Sequence, residues 1–173
     1  MQWNNLTLAL IQLGLSLVLA VVVAYISFNL FRYFLVKRYK IALNNVSFAI
    51  LSGTVMLAVA HILSGIIQPT LSVIRTLNDY SQSGTDFILK SLFYILLFIG
   101  LGFTLSFLAI SLGLYLFTIL TRQIHELEEI SKDNKAVGIL TSVIIIVIAI
   151  FIKDSTVFLL EALIPYPTLP VKN

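Results

Sequence analysis

His61 is the only His, Lys, Arg, Asp or Glu deep inside the long apolar runs of the chain. An ionisable group within a membrane span is costly, so it is a functional suspect by default. It stands two turns from the outer end of its helix, where Lys90 and the Lys153–Asp154 pair also gather. The pattern leaves two readings open: a proton-sensitive outer cluster, or a neutral imidazole bonded to a helix carbonyl or a nearby Ser. Ser64 follows at i+3 and shares a helix face with His61. A serine hydrolase, however, needs an activated Ser, a base and an oxyanion hole. The sequence has no Gly-x-Ser-x-Gly turn, and Gly100 and Gly102 fall inside an apolar run rather than a phosphate-cradling loop. With no Cys and two His, thiol nucleophiles, disulfides, iron–sulfur clusters and structural zinc find no ligands. No catalytic, cofactor or metal set is expected, and the chain reads as a non-enzyme.

The second chemically suggestive stretch is Thr121–Lys135. Ile124, Leu127 and Ile130 recur every three residues, with Glu126, Glu128, Glu129 and Asp133 between them, which predicts a short amphipathic helix. It reads either as a solvated or headgroup-facing segment, or as a docking surface for a soluble cytoplasmic protein. In the docking reading Ile124 and Leu127 anchor the partner, while Glu126, Glu128 and Glu129 steer it. Leu71–Leu77 and Val157–Ile164 are similarly amphipathic, the latter ending at Pro165 and Pro167. Both are expected at the outer interface.

The elements that must position these residues are membrane spans. Hydrophobic residues make up 59% and charged residues 11%, where a soluble domain carries about 45–50% and about 25%. Four runs stand out: Leu6–Phe31, Val46–Ile67, Ser91–Thr121 and Ala136–Ile152. About 20 residues cross a hydrocarbon core of roughly 30 Å, so each is long enough or nearly so. Met1–Asn5 lacks the basic residues of a signal peptide, and the first run is too long for one. It is expected to be a retained span. The net charge of +3 is too slight and dispersed for nucleic-acid binding.

Arg32, Lys37, Arg38 and Lys40 lie between spans one and two, and Arg122, Lys132 and Lys135 between three and four. Arg75, Lys90, Lys153 and Lys172 fall on the other side. The positive-inside rule places the two basic links in the cytoplasm and both termini outside.

Sliding the chain on itself aligns Asn45 with Asn134, 89 positions on, together with Ile41 on Ile130, Phe28 on Phe117 and Gly53 on Ser142. The fold class expected is all-α: a polytopic membrane protein with four transmembrane helices as two parallel tandem helix-pair repeats. Repeat unit one covers about 6–68 and unit two about 87–157, with an interfacial C-terminal segment at 155–173. Asn45 and Asn134 are expected as N-caps of the return helices. Ala49-x-x-x-Gly53, Gly102-x-x-x-Ser106, Ala109-x-x-x-Gly113 and Gly138-x-x-x-Ser142 give small residues four apart, which let helix backbones approach in lipid.

The elbow pattern Glu128-Glu129-Ile130, then Asn134 and Ala136 before an apolar helix, resembles the bacterial inner-membrane family called domain of unknown function 350. That family is also known as uncharacterised protein family 0719 and typically has two such two-helix units in tandem. The likeness covers about Ala24–Ser64 and about Leu112–Asp154. The family usually shows Gly-Asn at the elbow, whereas this chain has Asn44-Asn45 and Asp133-Asn134, with Phe48 early in the first return helix. The resemblance implies a multi-pass protein of the inner membrane, tied to membrane-stress gene sets, and supplies no activity.

The function expected is a non-enzymatic, self-associating membrane scaffold or anchor for a soluble partner. Its partners would be the lipid bilayer, further copies of itself as a homo-oligomer and a soluble cytoplasmic protein, with no cofactor. The alternative is an oligomeric pore or small transporter lined by Asn29, Thr104, Ser106 or Ser111.

Overall fold

A computed structural model describes residues 5–39, 44–80, 83–120 and 126–165. These form six helices and no strand: α1 (Asn5–Tyr39), α2 (Val46–Ser64), α3 (Ile67–Tyr80), α4 (Gly84–Leu120), α5 (Glu126–Ser131) and α6 (Lys135–Glu161). Four stretches are long and apolar enough to span a membrane. Helix is the conformation that satisfies every backbone donor and acceptor within one apolar segment. The expected all-α, four-span class is the one found.

The helices outrun the apolar stretches. α1 has 35 residues and α4 has 37, about 50–55 Å at 1.5 Å per residue against a core of about 30 Å. α1 therefore continues through Arg32 and Lys37. α4 starts outside the apolar run, where Asp86 in its first turn pairs with Lys90 at 2.9 Å. α6 likewise runs unbroken past Ile152 to Glu161, so the segment expected from 155 begins as part of the fourth span's helix, and residues 166–173 lie outside the described ones.

Gly65 and Ile66 form a turn that separates α2 from α3, with the Gly65 N–H donating to the Ile62 carbonyl at 3.1 Å. Pro69 sits in the first turn of α3, where a backbone donor would have no intrahelical acceptor. The apolar face of α3 is covered by protein: Leu71, Val73, Ile74 and Leu77 are buried, and the helix packs on α4, with smaller contacts to α1 and α6.

α2 is the hub, packing against α6, α1 and α4. At 100° per residue, Phe48, Leu51, Val55, Val59 and Ile62 share one arc and are buried. Val46, Ala49, Gly53 and Leu57 share the opposite arc and are exposed. α2 and α6 run side by side in the same direction. Near their starts a Cβ on Gly138 would lie 3.1 Å from Ser47 Cβ and 3.3 Å from Ser47 Cα; near the other end one on Gly65 would meet Val157. α1 presents Leu19, Val23 and Ser27 as buried positions. One turn further on, Phe31 stacks on Phe48, with ring centroids 6.4 Å apart and planes 2° from parallel. α4 turns Gly102 onto Leu63 and Ile66, and Gly113 onto Ile148.

The four small-residue pairs therefore differ in use. Gly102 with buried Ser106, Gly113 with half-buried Ala109, and Gly138 with buried Ser142 all serve contacts within the chain. Ala49 and Gly53 do not: both are exposed, and nothing lies within 4 Å of a Cβ built on Gly53. The packing role expected for that pair is corrected for the single chain, because the residues fall on the arc of α2 opposite its neighbours.

Gly138→Leu forces a side chain into the Ser47 backbone and should destabilise the protein by about 1–3 kcal/mol, the usual range for overpacking. Thermal unfolding in detergent, followed by circular dichroism, should show the loss for Gly138→Leu and Gly102→Leu. Unchanged melting in Gly138→Leu would contradict the α2–α6 contact.

Candidate functional site

The most elaborate polar structure among the described residues lies where α2 and α6 begin. Asn45 is in extended conformation (φ −72, ψ 121) and is the N-cap of α2: its Oδ1 accepts the Phe48 N–H at 2.7 Å. The amide nitrogen of the same side chain donates to the Ile130 carbonyl at 2.8 Å and to the Ser131 carbonyl at 3.3 Å. One buried asparagine thus satisfies orphan groups at the start of α2 and at the end of α5.

Asp133 closes the joint from the other side. Its φ of 62 is the one positive value among described non-glycine residues. Asn134 N–H donates to the Glu129 carbonyl and Asp133 N–H to the Ile130 carbonyl, both at 3.0 Å. This is a Schellman ending for α5, with Asp133 in the left-handed position that glycine usually fills. The conformation costs a typical L-residue about 1–2 kcal/mol, and Asp tolerates it better than most. In return the Asp133 carboxylate accepts the Ser47 N–H at 2.8 Å. It thereby places a negative charge at the N-terminus of α2, the positive end of the helix dipole. Glycine at this position could end α5 but could not cap α2.

Asn134 caps α6 more loosely, accepting the Val137 N–H at 3.4 Å and donating to Glu129 Oε2 at 2.9 Å. The Asn134 amide, and after it Lys132, hold the Glu129 carboxyl below the usual carboxylate range. Lys132 is raised above its ordinary value by its bond to Glu128 first and Glu129 second. The Ser47 backbone N–H, as the largest influence, lowers Asp133.

This geometry corrects the expected docking surface. Glu126 is 5% exposed and takes a hydrogen bond from the Thr118 hydroxyl at 2.9 Å. Leu127 is half-buried against the core, and Ile124 lies outside the described residues. Of the three glutamates, Glu128 is exposed and Glu129 half-buried, each 3.1 Å from Lys132. α5 turns Glu126 and Ile130, one helical turn apart, inward and leaves Glu128 outward.

At the far end of α2, half-buried His61 offers its carbonyl to the Ser64 hydroxyl at 2.7 Å. Lys90 is engaged by Asp86, and Asp154 is exposed. Among the described residues no hydrogen bond or ion pair joins His61 to Lys90, Lys153 or Asp154. The structure therefore does not assemble an outer cluster around His61.

Sequence inspection missed Ser47 and Asp133 as partners. The available signal was an Asp directly before the second cap asparagine, at the position where an ended helix favours a left-handed residue.

Four apolar spans, with return helices α2 and α6 rising in parallel from interlocked asparagine-capped elbows, define a polytopic all-helical membrane protein. The chain belongs to the family described as Domain of Unknown Function (DUF350), whose model matches residues 1–156. No curated protein and no solved structure matches it.

Asn45→Ala removes a short cap and the donor to Ile130, and should cost about 1–2 kcal/mol. Asn134→Ala, with its longer cap, should cost less. Denaturation of both variants in detergent gives the comparison, and equal losses would argue against the joint role of Asn45. The lowered Asp133 value fixes a pH sign: its contribution is complete above the ordinary carboxylate range and is lost as pH falls through the depressed native value. Wild type should lose stability below about pH 4, and Asp133→Asn should flatten that acid limb.

Proposed function

We propose that this chain is a non-enzymatic membrane scaffold that self-associates through α2 and presents its elbow end to a soluble protein. The observation that carries the reading is the uncovered Ala49–Gly53 pair. A glycine within a helix costs about 1 kcal/mol relative to alanine. Gly102, Gly113 and Gly138 return that cost through close contacts, whereas Gly53 meets nothing within 4 Å. Gly14, Gly84 and Gly100 are also open, but Gly14 and Gly84 have no small residue four positions away, and Gly100 has only the bulkier Thr104, whose hydroxyl is bonded to the Gly100 carbonyl. Small residues four apart on an exposed face allow two copies of α2 to approach closely in lipid.

In this proposal the membrane is the bacterial inner membrane, the elbows face the cytoplasm and both termini lie outside. Support comes from the basic residues, of which four sit in the first elbow link and three in the second, out of 11 in all. The matching Asn45 and Asn134 caps support two tandem helix-pair units. At the elbow end, exposed Glu128 would meet a soluble partner. Glu126 and Glu129 belong to the internal bonds of the elbow.

Of the residues expected to line a pore, Asn29, Thr104 and Ser111 are exposed on the spans, whereas Ser106 is buried and donates to the Gly102 carbonyl. The Asn29 amide donates to the Tyr25 carbonyl and the Thr104 hydroxyl to the Gly100 carbonyl. Bonds back to their own helices weaken the case for a hydrated path.

Gly53→Leu should reduce the oligomer to a smaller species in detergent while leaving the melting temperature near wild type; light scattering coupled to size exclusion reads this. An unchanged oligomer would exclude the α2 interface. Glu128→Lys should reduce co-purification of a soluble partner without affecting insertion. Reporter fusions after Arg38 and Lys132 should read as cytoplasmic, and one after Tyr80 as external. Ion conductance in planar bilayers that disappears in Thr104 or Ser111 variants would instead establish the pore.

A further inference from the structure

α1 and α4 do not close on one another, and between them lies a groove of about 630 Å³. Val22, Ile26 and Leu30 form one wall, and Gly100, Phe103 and Phe107 contribute to the other. The groove sits within the apolar spans, so hydrocarbon and not water is its natural content. What distinguishes it from ordinary lipid-facing surface is its elbow end. On α1 the positions 22, 26 and 30 lead, at 100° per residue, to Tyr33 and Lys37 on the same arc. Lys37 is exposed, donates to the Tyr33 hydroxyl at 3.0 Å and lies 5.1 Å from its ring centroid. Arg32 is also exposed, but at 100° per residue it lies about 140° round α1 from Lys37 and faces away from the groove. On α4, Tyr115 stands one turn beyond groove-lining Ser111 and is 64% exposed. Among the described residues no carboxylate lies within ion-pair distance of Arg32 or Lys37. Glu126, bonded to Thr118 at this end, is buried.

We propose that the α1–α4 groove binds an acyl chain of an anionic phospholipid whose phosphate is held by Lys37. Lys37 is seven residues beyond Leu30, about 10 Å along the helix, which sets the cation at headgroup level when the chain fills the groove. Tyrosines at this level suit the interfacial zone, and basic residues beside a gap between spans are the chemistry that holds acidic headgroups. A second copy's helix could fill the same walls, but an apolar helix face would not use the Lys37 ammonium.

The test is native mass spectrometry of the full chain, titrated with phosphatidylglycerol and phosphatidylcholine of matched acyl chains. Wild type should prefer phosphatidylglycerol by about fivefold. Lys37→Gln should bring phosphatidylglycerol down to the phosphatidylcholine level and leave phosphatidylcholine unchanged, whereas Arg32→Gln, on another face of α1, should keep the preference. Gly100→Phe, at a position with nothing within 4 Å of a Cβ, should fill the groove and weaken both lipids. Equal binding of the two lipids by wild type, or a preference retained in Lys37→Gln, overturns the proposal. So does a Gly100→Phe protein that keeps its lipids but loses its oligomer, since a second copy then occupies the groove. If Gly100→Phe fails to fold, the charge variant alone decides. Gly53→Leu, which probes self-association, should leave the lipid preference intact.

Discussion

The close parallel start of α2 and α6 is the constraint on which the rest of the architecture depends. Two parallel helices bring their positive dipole ends together, an arrangement that needs negative charge and hydrogen-bond acceptors at the shared end. The chain supplies both: the Asp133 carboxylate of the second elbow accepts the Ser47 N–H and Asn45 Oδ1 accepts the Phe48 N–H, while the Asn45 amide reaches across to the Ile130 carbonyl. Absence of a side chain on Gly138 then lets Ser47 approach. With the two starts pinned, α1 returns to the elbow against α2, and α4 seats on both α2 and α6.

Lipid makes such specific contacts matter more than apolar area. Exchanging a leucine's lipid neighbours for protein neighbours gives little driving force, so association rests on tight packing and polar bonds. The contacts that fix the bundle are accordingly small or directional: Gly138 on Ser47, Gly102 on Leu63 and Ile66, Gly113 on Ile148, and the Phe31–Phe48 stack. Phe48, through its stack with Phe31, helps to tie α1 to the hub.

The spans and the two cap asparagines were legible in the sequence because they depend on local rules: hydropathy over about 20 residues and a polar side chain just before an apolar helix. The elbow's tertiary bonds were not. The three-residue spacing of Ile124, Leu127 and Ile130 suggested that the glutamates face outward, but α5 is only six residues long and its orientation is set by Asn45 gripping its last carbonyls. That grip turns Glu126 inward, to Thr118. The small-residue motifs were visible as motifs, yet their use depends on which arc of a helix meets a neighbour. Ala49 and Gly138 occupy nearly equivalent positions after their caps, one exposed and the other buried. An internal likeness between halves does not carry equal environments, since α2 and α6 face each other with different arcs.

The same asymmetry explains why α1 stands apart. α4 has Gly102 and Gly113 turned toward α2 and α6, so its close approaches are spent on the hub, and Gly100, facing elsewhere, is left open toward α1. α1 has its single glycine, Gly14, also open, and holds to α2 through Leu19, Val23, Ser27 and Phe31. Its other face carries Leu10, Leu13, Leu17, Val21 and Tyr25, all exposed. α1 is therefore the span whose packing depends most on what surrounds the protein, whereas α2, α4 and α6 define one another. A gap beside such a helix persists because no close-packing contact draws α1 and α4 together. In the proposed lipid site, Lys37 at the elbow end of α1 then sets which headgroups meet that gap.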